Sequence, residues 1–260
     1  MKIYEYGIKH QKTLLMFQCA CEPTWIFDQP ARELSRYYHV FLAGANGHDP
    51  SDNTVFTTVE DYASKTVSAL KQRGTDHLDY LYGVSMGGAT AMYLLAWNLI
   101  PVRKAIIDAG ITPYPYPEWL CRLISYRDAC LIPLATINMD VLKKVSPPQQ
   151  WTPEGKDPVE HYEKIYDFLK HHYSRKTNYN VFWSANNYQM PDPVPTVHTE
   201  MEYWYGSGER KDREKDLIYV KKNFPQCRIV EQKGYGHAQL VIVHPHEFVR
   251  KAVNFFDGKE

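Results

Sequence analysis

The chain has 260 residues, enough to bury a core without disulfide or metal staples and within the range of one large α/β domain. Thirty basic residues balance thirty acidic ones, so there is no single-sign field to gather nucleic acid or an anionic membrane surface. Twenty Tyr, ten Phe and six Trp are the surplus class, readable as pocket lining or as extra core. The five cysteines (Cys19, Cys21, Cys121, Cys130, Cys227) are odd in number and form no CxxC pair. That disfavours a disulfide framework and favours a reducing compartment. The opening MKIYEYGIKHQK is unlike a signal peptide, and the longest apolar stretch, Ala89 to Ile100, is too short to span a bilayer. The expectation is a cytoplasmic protein with no nucleic-acid or membrane partner.

In chain order, Lys2–Tyr6 alternates like an edge strand and Thr13–Phe17 is an apolar run of the buried-strand type. Glu33–Tyr37 is expected to close a helix before a strand over Tyr38–Ala43. A helix is expected over Val59–Arg73, stopped by Gly74. Leu78–Val84 is a strand leading directly into the helix-like SMGGATAMYLLAW, and Val102–Asp108 is the next strand. Strands alternating with helices imply βαβ units and a mostly parallel sheet.

After Ala109 the pattern changes. Pro113, Pro115 and Pro117 break the chain, with Tyr114 and Tyr116 between them. No strand alternation follows until a second cluster, Pro191, Pro193 and Pro195. Between the clusters one amphipathic helix is predicted over Val159–Arg175, with Tyr162, Ile165, Tyr166, Leu169 and Tyr173 on its stripe. Thereafter Thr199–Tyr205 and Arg228–Glu231 read as strands, and Lys211–Asn223 and Pro245–Phe256 as helices. Residues 113–195 therefore read as a helical insertion into a core of residues 1–112 and 196–260.

Gly83-Val84-Ser85-Met86-Gly87 matches G-x-S-x-G, with a further Gly88. The pentapeptide alone is weakly specific. Its place between an apolar strand and a helix supplies the context its mechanics need: a sharp turn presents the hydroxyl and aims helix N-terminal amides at an oxyanion. With this motif, the later His in Gly234-Tyr-Gly236-His237 and the intervening helical stretch, the chain resembles the α/β-hydrolase superfamily, in particular its small cap-bearing serine hydrolases and esterases. The resemblance implies an α/β-hydrolase fold, a mostly parallel central sheet flanked by helices with a helical cap.

The resemblance implies Ser85 as nucleophile and His237 as base. His171 and His172 read as a solvated helix face, and His244 and His246 as surface or capping residues. The acid belongs after the strand that follows the cap. Gly206-Ser207-Gly208-Glu209 has that spacing, with Glu in place of Asp; Asp212 is the runner-up and Asp108 a third candidate. The oxyanion amides would be those of Met86 and of Ala20 or Cys19. Gln18-Cys19-Ala20-Cys21 departs from the His-Gly that many relatives carry, and Asn46 and His48 are candidates for shaping the pocket. Tyr114, Tyr116, Trp119 and Trp183 of the cap are expected to line the substrate pocket.

No P-loop, H-E-x-x-H, zinc pattern or GxGxxG occurs, so neither cofactor nor metal is expected. The leading expectation is hydrolysis of a carboxylic ester or related small acyl compound, apolar or aromatic, through an acyl-enzyme. The alternatives are lyase or C–C bond hydrolysis chemistry on the same fold, or a ligand-binding or signalling module with little turnover.

Overall fold

The computed structural model describes residues 1–258. Seven strands form one sheet: β1 (Lys2–Tyr6), β2 (Thr13–Phe17), β3 (His39–Gly44), β4 (Leu78–Val84), β5 (Val102–Asp108), β6 (Glu200–Gly206) and β7 (Arg228–Gln232). Their spatial order is β1-β3-β2-β4-β5-β6-β7. β1 pairs antiparallel with β3, and every other pairing is parallel. The fold is that of an α/β hydrolase.

The helices flanking the sheet before β5 are α1 (Asp28–Leu34), α2 (Val59–Gln72) and α3 (Met86–Ala96). Between β5 and β6 lie α4 (Glu118–Ala129), α5 (Leu131–Ala135), α6 (Met139–Val145), α7 (Pro148–Trp151), α8 (Pro158–Asp167) and α9 (Arg175–Ala185). The chain closes with α10 (Glu214–Asn223), α11 (Gln239–Val243) and α12 (Pro245–Asp257).

Alternation along the central strands builds two cores. Leu15 and Phe17 of β2 face a cluster that includes Val67 and Leu70 of α2 and Ala91 and Leu95 of α3. Leu14 and Met16 face the opposite cluster, with Leu34 of α1 and Phe248, Ala252 and Phe256 of α12. A parallel sheet covered on both faces requires near-continuous apolar strands, which TLLMF supplies. α3 buries nearly its whole circumference, so its small residues let it approach the strands closely.

After β2 the chain crosses to β3 on one side; after β4 it crosses to β5 on the other. The loops leaving β2 and β4 thus diverge at their carboxyl ends, the place where open α/β sheets form a crevice.

Three expected helices differ in extent; the one expected over Lys211–Asn223 starts at Glu214. The chain over Val159–Arg175 is not one helix. α8 ends at Asp167, Phe168–His172 forms a wider turn, and α9 starts at Arg175. Ser174 imposes the break, because its hydroxyl accepts the Thr177 amide at 3.1 Å and caps a new helix. The first helix occupies Asp28–Leu34, one turn before the Glu33–Tyr37 expectation, with Asp28 in its first turn. α11 lies where the sequence pattern predicts no element.

Candidate active site

Ser85 sits between β4 and α3 with φ 57° and ψ −116°, in the left-handed half of backbone space that an L-residue rarely enters. Its N–H donates to the Asp108 carbonyl at 2.8 Å and its carbonyl accepts the Ala89 amide at 3.0 Å. The strand's last bond and the helix's first bond therefore meet at one residue. The flanking glycines permit this. A Cβ on Gly83 would lie 2.3 Å from the Gly87 carbonyl oxygen, and one on Gly87 would lie 2.4 Å from that of Phe17.

Glu209 follows β6 and is buried. Its Oε1 accepts the Gly206 amide at 3.1 Å, and its Oε2 lies 2.7 Å from His237 Nδ1. Burial pushes its carboxyl up, but the His237 hydrogen bond and charge, Arg213 and the Gly206 amide outweigh this and leave it below its ordinary value.

The loops carrying Glu209 and His237 are stitched together. Gly208 N donates to the Tyr235 carbonyl at 2.9 Å, and Gly234 N to Ser207 Oγ at 2.9 Å. A Cβ on Gly206 would lie 2.3 Å from the Tyr235 oxygen. Gln239 Oε1 accepts the Gly236 amide at 2.6 Å, fixing the chain just before His237.

Asp212 is exposed on the turn after Glu209. Asp108, at the end of β5, is buried, and its Oδ2 accepts the Tyr82 hydroxyl at 2.8 Å. Burial pushes its carboxyl up to about 7. Glu209 adds to the rise, while Tyr82 and His237 oppose it.

The loop after β2 is braced by Gln18, which is fully buried. Its Oε1 accepts Thr24 Oγ1 at 2.7 Å and the Ala45 amide at 3.2 Å, and its Nε2 donates to the Glu22 carbonyl at 3.0 Å. Cys21 takes φ 63°. Burial pushes the Cys19 and Cys21 thiols up, Cys21 to about 12, so both stay protonated. Behind this loop His48 is buried, with Nδ1 3.0 Å from the Asn46 carbonyl oxygen and its ring against Tyr173. Burial pushes it down to about 4. No group of three or more His, Cys, Asp or Glu among the described residues could hold a metal ion.

The expected pocket aromatics are placed differently from Ser85. Tyr114, Tyr116 and Trp183 line a cleft of about 750 Å³ whose wall includes neither Ser85 nor His237. Lys215 Nζ sits 3.7 Å from the Tyr114 ring centroid and the Arg122 guanidinium 4.5 Å from that of Trp183. Trp119 is 68% exposed. A cleft of about 640 Å³ runs between Trp25, Arg32 and the α8 residues Glu160, His161 and Lys164. His244 and His246 pair with Glu154 and Glu33, and His171 and His172 are exposed.

A family model described as the alpha/beta hydrolase family matches residues 20–251. The chain belongs to that family. Solved alpha/beta hydrolases share its fold throughout. An alpha/beta hydrolase family protein from Desulfitobacterium hafniense is 18% identical, with 96% of this chain and 98% of that one covered and a TM-score of 0.72. MenH from S. aureus is 17% identical, with 99% and 98% covered and a TM-score of 0.72. An esterase from a marine microorganism is 20% identical, with 98% of each chain covered and a TM-score of 0.66. None of the curated proteins matches the sequence. As an alpha/beta hydrolase the chain is a hydrolase by family, and among the described residues no helix is long and apolar enough to cross a membrane.

Sequence reasoning singled out Ser85, His237 and Glu209, with Asp108 as a third acid candidate, but not the supports around them: the Gln18 amide, the Tyr82 hydroxyl on Asp108, and Arg213 with Asp216. The last two carried a signal in their spacing, since Glu209, Arg213 and Asp216 stand four and three residues apart on a helical turn.

Proposed function

We propose that this alpha/beta hydrolase cleaves a carboxylic ester or related small acyl compound through Ser85, His237 and Glu209. The observation that carries the reading is the 2.7 Å contact from Glu209 Oε2 to His237 Nδ1, on loops stitched together at the sheet edge where the strained Ser85 turn ends β4. A carboxylate at Nδ1 keeps the proton there and leaves the Nε2 lone pair as the base. Ser85 Oγ attacks the acyl carbon as its proton passes to His237. The oxyanion is held by the Met86 amide and that of Ala20 or Cys19. His237 then protonates the departing alcohol, and water, deprotonated by His237, releases the acid.

The helices between β5 and β6 act as the cap, and an apolar or aromatic acyl group is the expected substrate. The chain acts in the cytoplasm on a small molecule, with no cofactor, nucleic acid or membrane partner. Incubation with a fluorophosphonate is expected to modify Ser85, and Ser85→Ala to abolish turnover across a panel of aryl esters of increasing acyl length. Full activity in a folded Ser85→Ala chain sinks the scheme.

A further inference from the structure

Behind Glu209 stands a buried cation. Arg213, on the turn into α10, has a side chain only 15% exposed. Its Nε lies 3.4 Å from Glu209 Oε2, the oxygen that also faces His237. Its Nη1 lies 3.0 Å from Asp216 Oδ2 and 3.4 Å from the Ala109 carbonyl. Asp216 is fully buried, and its Oδ1 accepts both the amide and the hydroxyl of Thr112, at 3.0 and 2.6 Å. One cation is therefore shared by two buried carboxylates, and only one of these touches the histidine.

We propose that Arg213 is a positioning residue that sets how much negative charge Glu209 presents to His237, with Asp216 as its counterweight. The guanidinium does not lose its proton, so its charge is a constant of the site. An uncompensated Glu209 carboxylate would pull harder on a proton at His237. Arg213 offsets part of that pull, and Asp216 limits how much of the Arg213 charge reaches Glu209. Thr112 fixes Asp216 from the segment where the chain leaves β5.

The charged and titratable groups around His237 are Glu209 from the loop after β6 and Asp108 from the end of β5, with Tyr82 of β4 behind Asp108. Arg213, Asp216 and Tyr203 of β6 stand behind Glu209. Removing Arg213 leaves two carboxylates uncompensated, which favours the imidazolium. Removing the Asp216 charge frees Arg213 to act on Glu209, which disfavours it. The two substitutions must act in opposite directions, whereas a purely structural network would lose activity in both without that sign change.

The inference rests on His237 being the base of the proposed reaction. The test measures the pH dependence of Ser85 modification by a fluorophosphonate and, without any need for turnover, the titration of the His237 ring by NMR. For Arg213→Met the midpoint of the acid limb is expected to rise by about one pH unit, so that modification well below it is about tenfold slower. Asp216→Asn lowers the midpoint, Arg213→Met/Asp216→Asn brings it back toward the wild-type value, and Arg213→Lys leaves it near that value. Shifts of the same sign, or an unmoved midpoint, overturn the proposal. If Arg213→Met fails to fold, the isosteric Asp216→Asn decides alone by moving the midpoint down or not. Opposite NMR shifts in a chain whose Ser85 is never modified support the inference and reject the hydrolase mechanism. Modification of Ser85 with unmoved midpoints does the reverse.

Discussion

Replacing Gln18 with Leu keeps the side chain's bulk but removes the brace of the loop after β2. Three hydrogen bonds disappear, to Thr24 Oγ1, the Ala45 amide and the Glu22 carbonyl. They are not equal losses. Thr24 Oγ1 also approaches the His48 carbonyl at 3.3 Å and can fall back on it. The Ala45 N–H is buried and its bond to Gln18 is the one at stake, so it bears the desolvation penalty of an orphaned donor, about 1–3 kcal/mol. The Glu22 bond adds about 1 kcal/mol, and the Thr24 bond, with its fallback, between about 0 and 1. The expected loss is about 2–5 kcal/mol, and at roughly 2–4 °C per kcal/mol for a chain of this size the melting temperature falls by about 4–20 °C. Urea unfolding followed by circular dichroism measures this directly, with the m-value checked for constancy. A Gln18→Leu chain within about 0.5 kcal/mol of wild type refutes the reasoning, because a surface substitution would do no more. Fluorophosphonate modification of Ser85 in the same variant reports whether the braced loop also contributes to the site.

The acid assignment is tested by Glu209→Gln against Asp212→Asn. The first is expected to lower kcat/KM for an aryl ester by about 10²- to 10⁴-fold, the second by less than about twofold, and equal losses would contradict the geometry. Gly87→Ala places a methyl 2.4 Å from a backbone oxygen that cannot step aside; a loss of at least about 1–3 kcal/mol in urea unfolding is expected, and an unchanged midpoint would show the turn to be looser. Asp108 binds its proton more tightly folded than unfolded, so its contribution to stability is full below the unfolded carboxyl range and is lost as pH rises through about 7. Asp108→Asn removes that loss. The variant should therefore gain on wild type as unfolding is measured from pH 4 to pH 8, and a constant difference would mean that Asp108 is ionised throughout. Glu22, pushed up to about 8 by burial, tilts the same way in both chains and cancels in the comparison.

The strands were legible because burial on both faces leaves a direct trace in composition. TLLMF and LDYLYGV admit no polar interruption where they cross the core, apart from groups that find a partner, such as Asp79 with the Thr13 amide. The serine turn was legible for a related reason, since contact distances exclude a side chain at Gly83 and Gly87. The helices between β5 and β6 were less so. The stripe over 159–175 continues past the end of α8, and only the Ser174 hydroxyl marks the boundary. α11 was hidden because QLVIV is as apolar as a strand and too short for a helical period to show.

Glu209 could be picked by spacing, but its burial and its contact with His237, which set it apart from the exposed Asp212, depend on how the loop after β7 lies across it. The aromatic residues after Ala109 could not be assigned by type. Tyr114 and Trp183 carry cations on their faces in a cleft apart from Ser85, and Trp119 faces outward. Thr112, whose amide and hydroxyl donate to Asp216, lies about a hundred residues away along the chain, beyond any local pattern.

The stitching of the two loops at Gly206 and Tyr235 has a mechanical consequence. Glu209 and His237 are fastened to each other by backbone bonds, while Ser85 belongs to a different element. A displacement of the loops after β6 and β7 would carry the Glu209 carboxylate and the His237 ring together as one jaw, preserving their contact and changing only the gap to the Ser85 hydroxyl. In the proposed reaction the His237 ring would therefore keep its Glu209 contact, and with it its orientation, whatever its gap to Ser85.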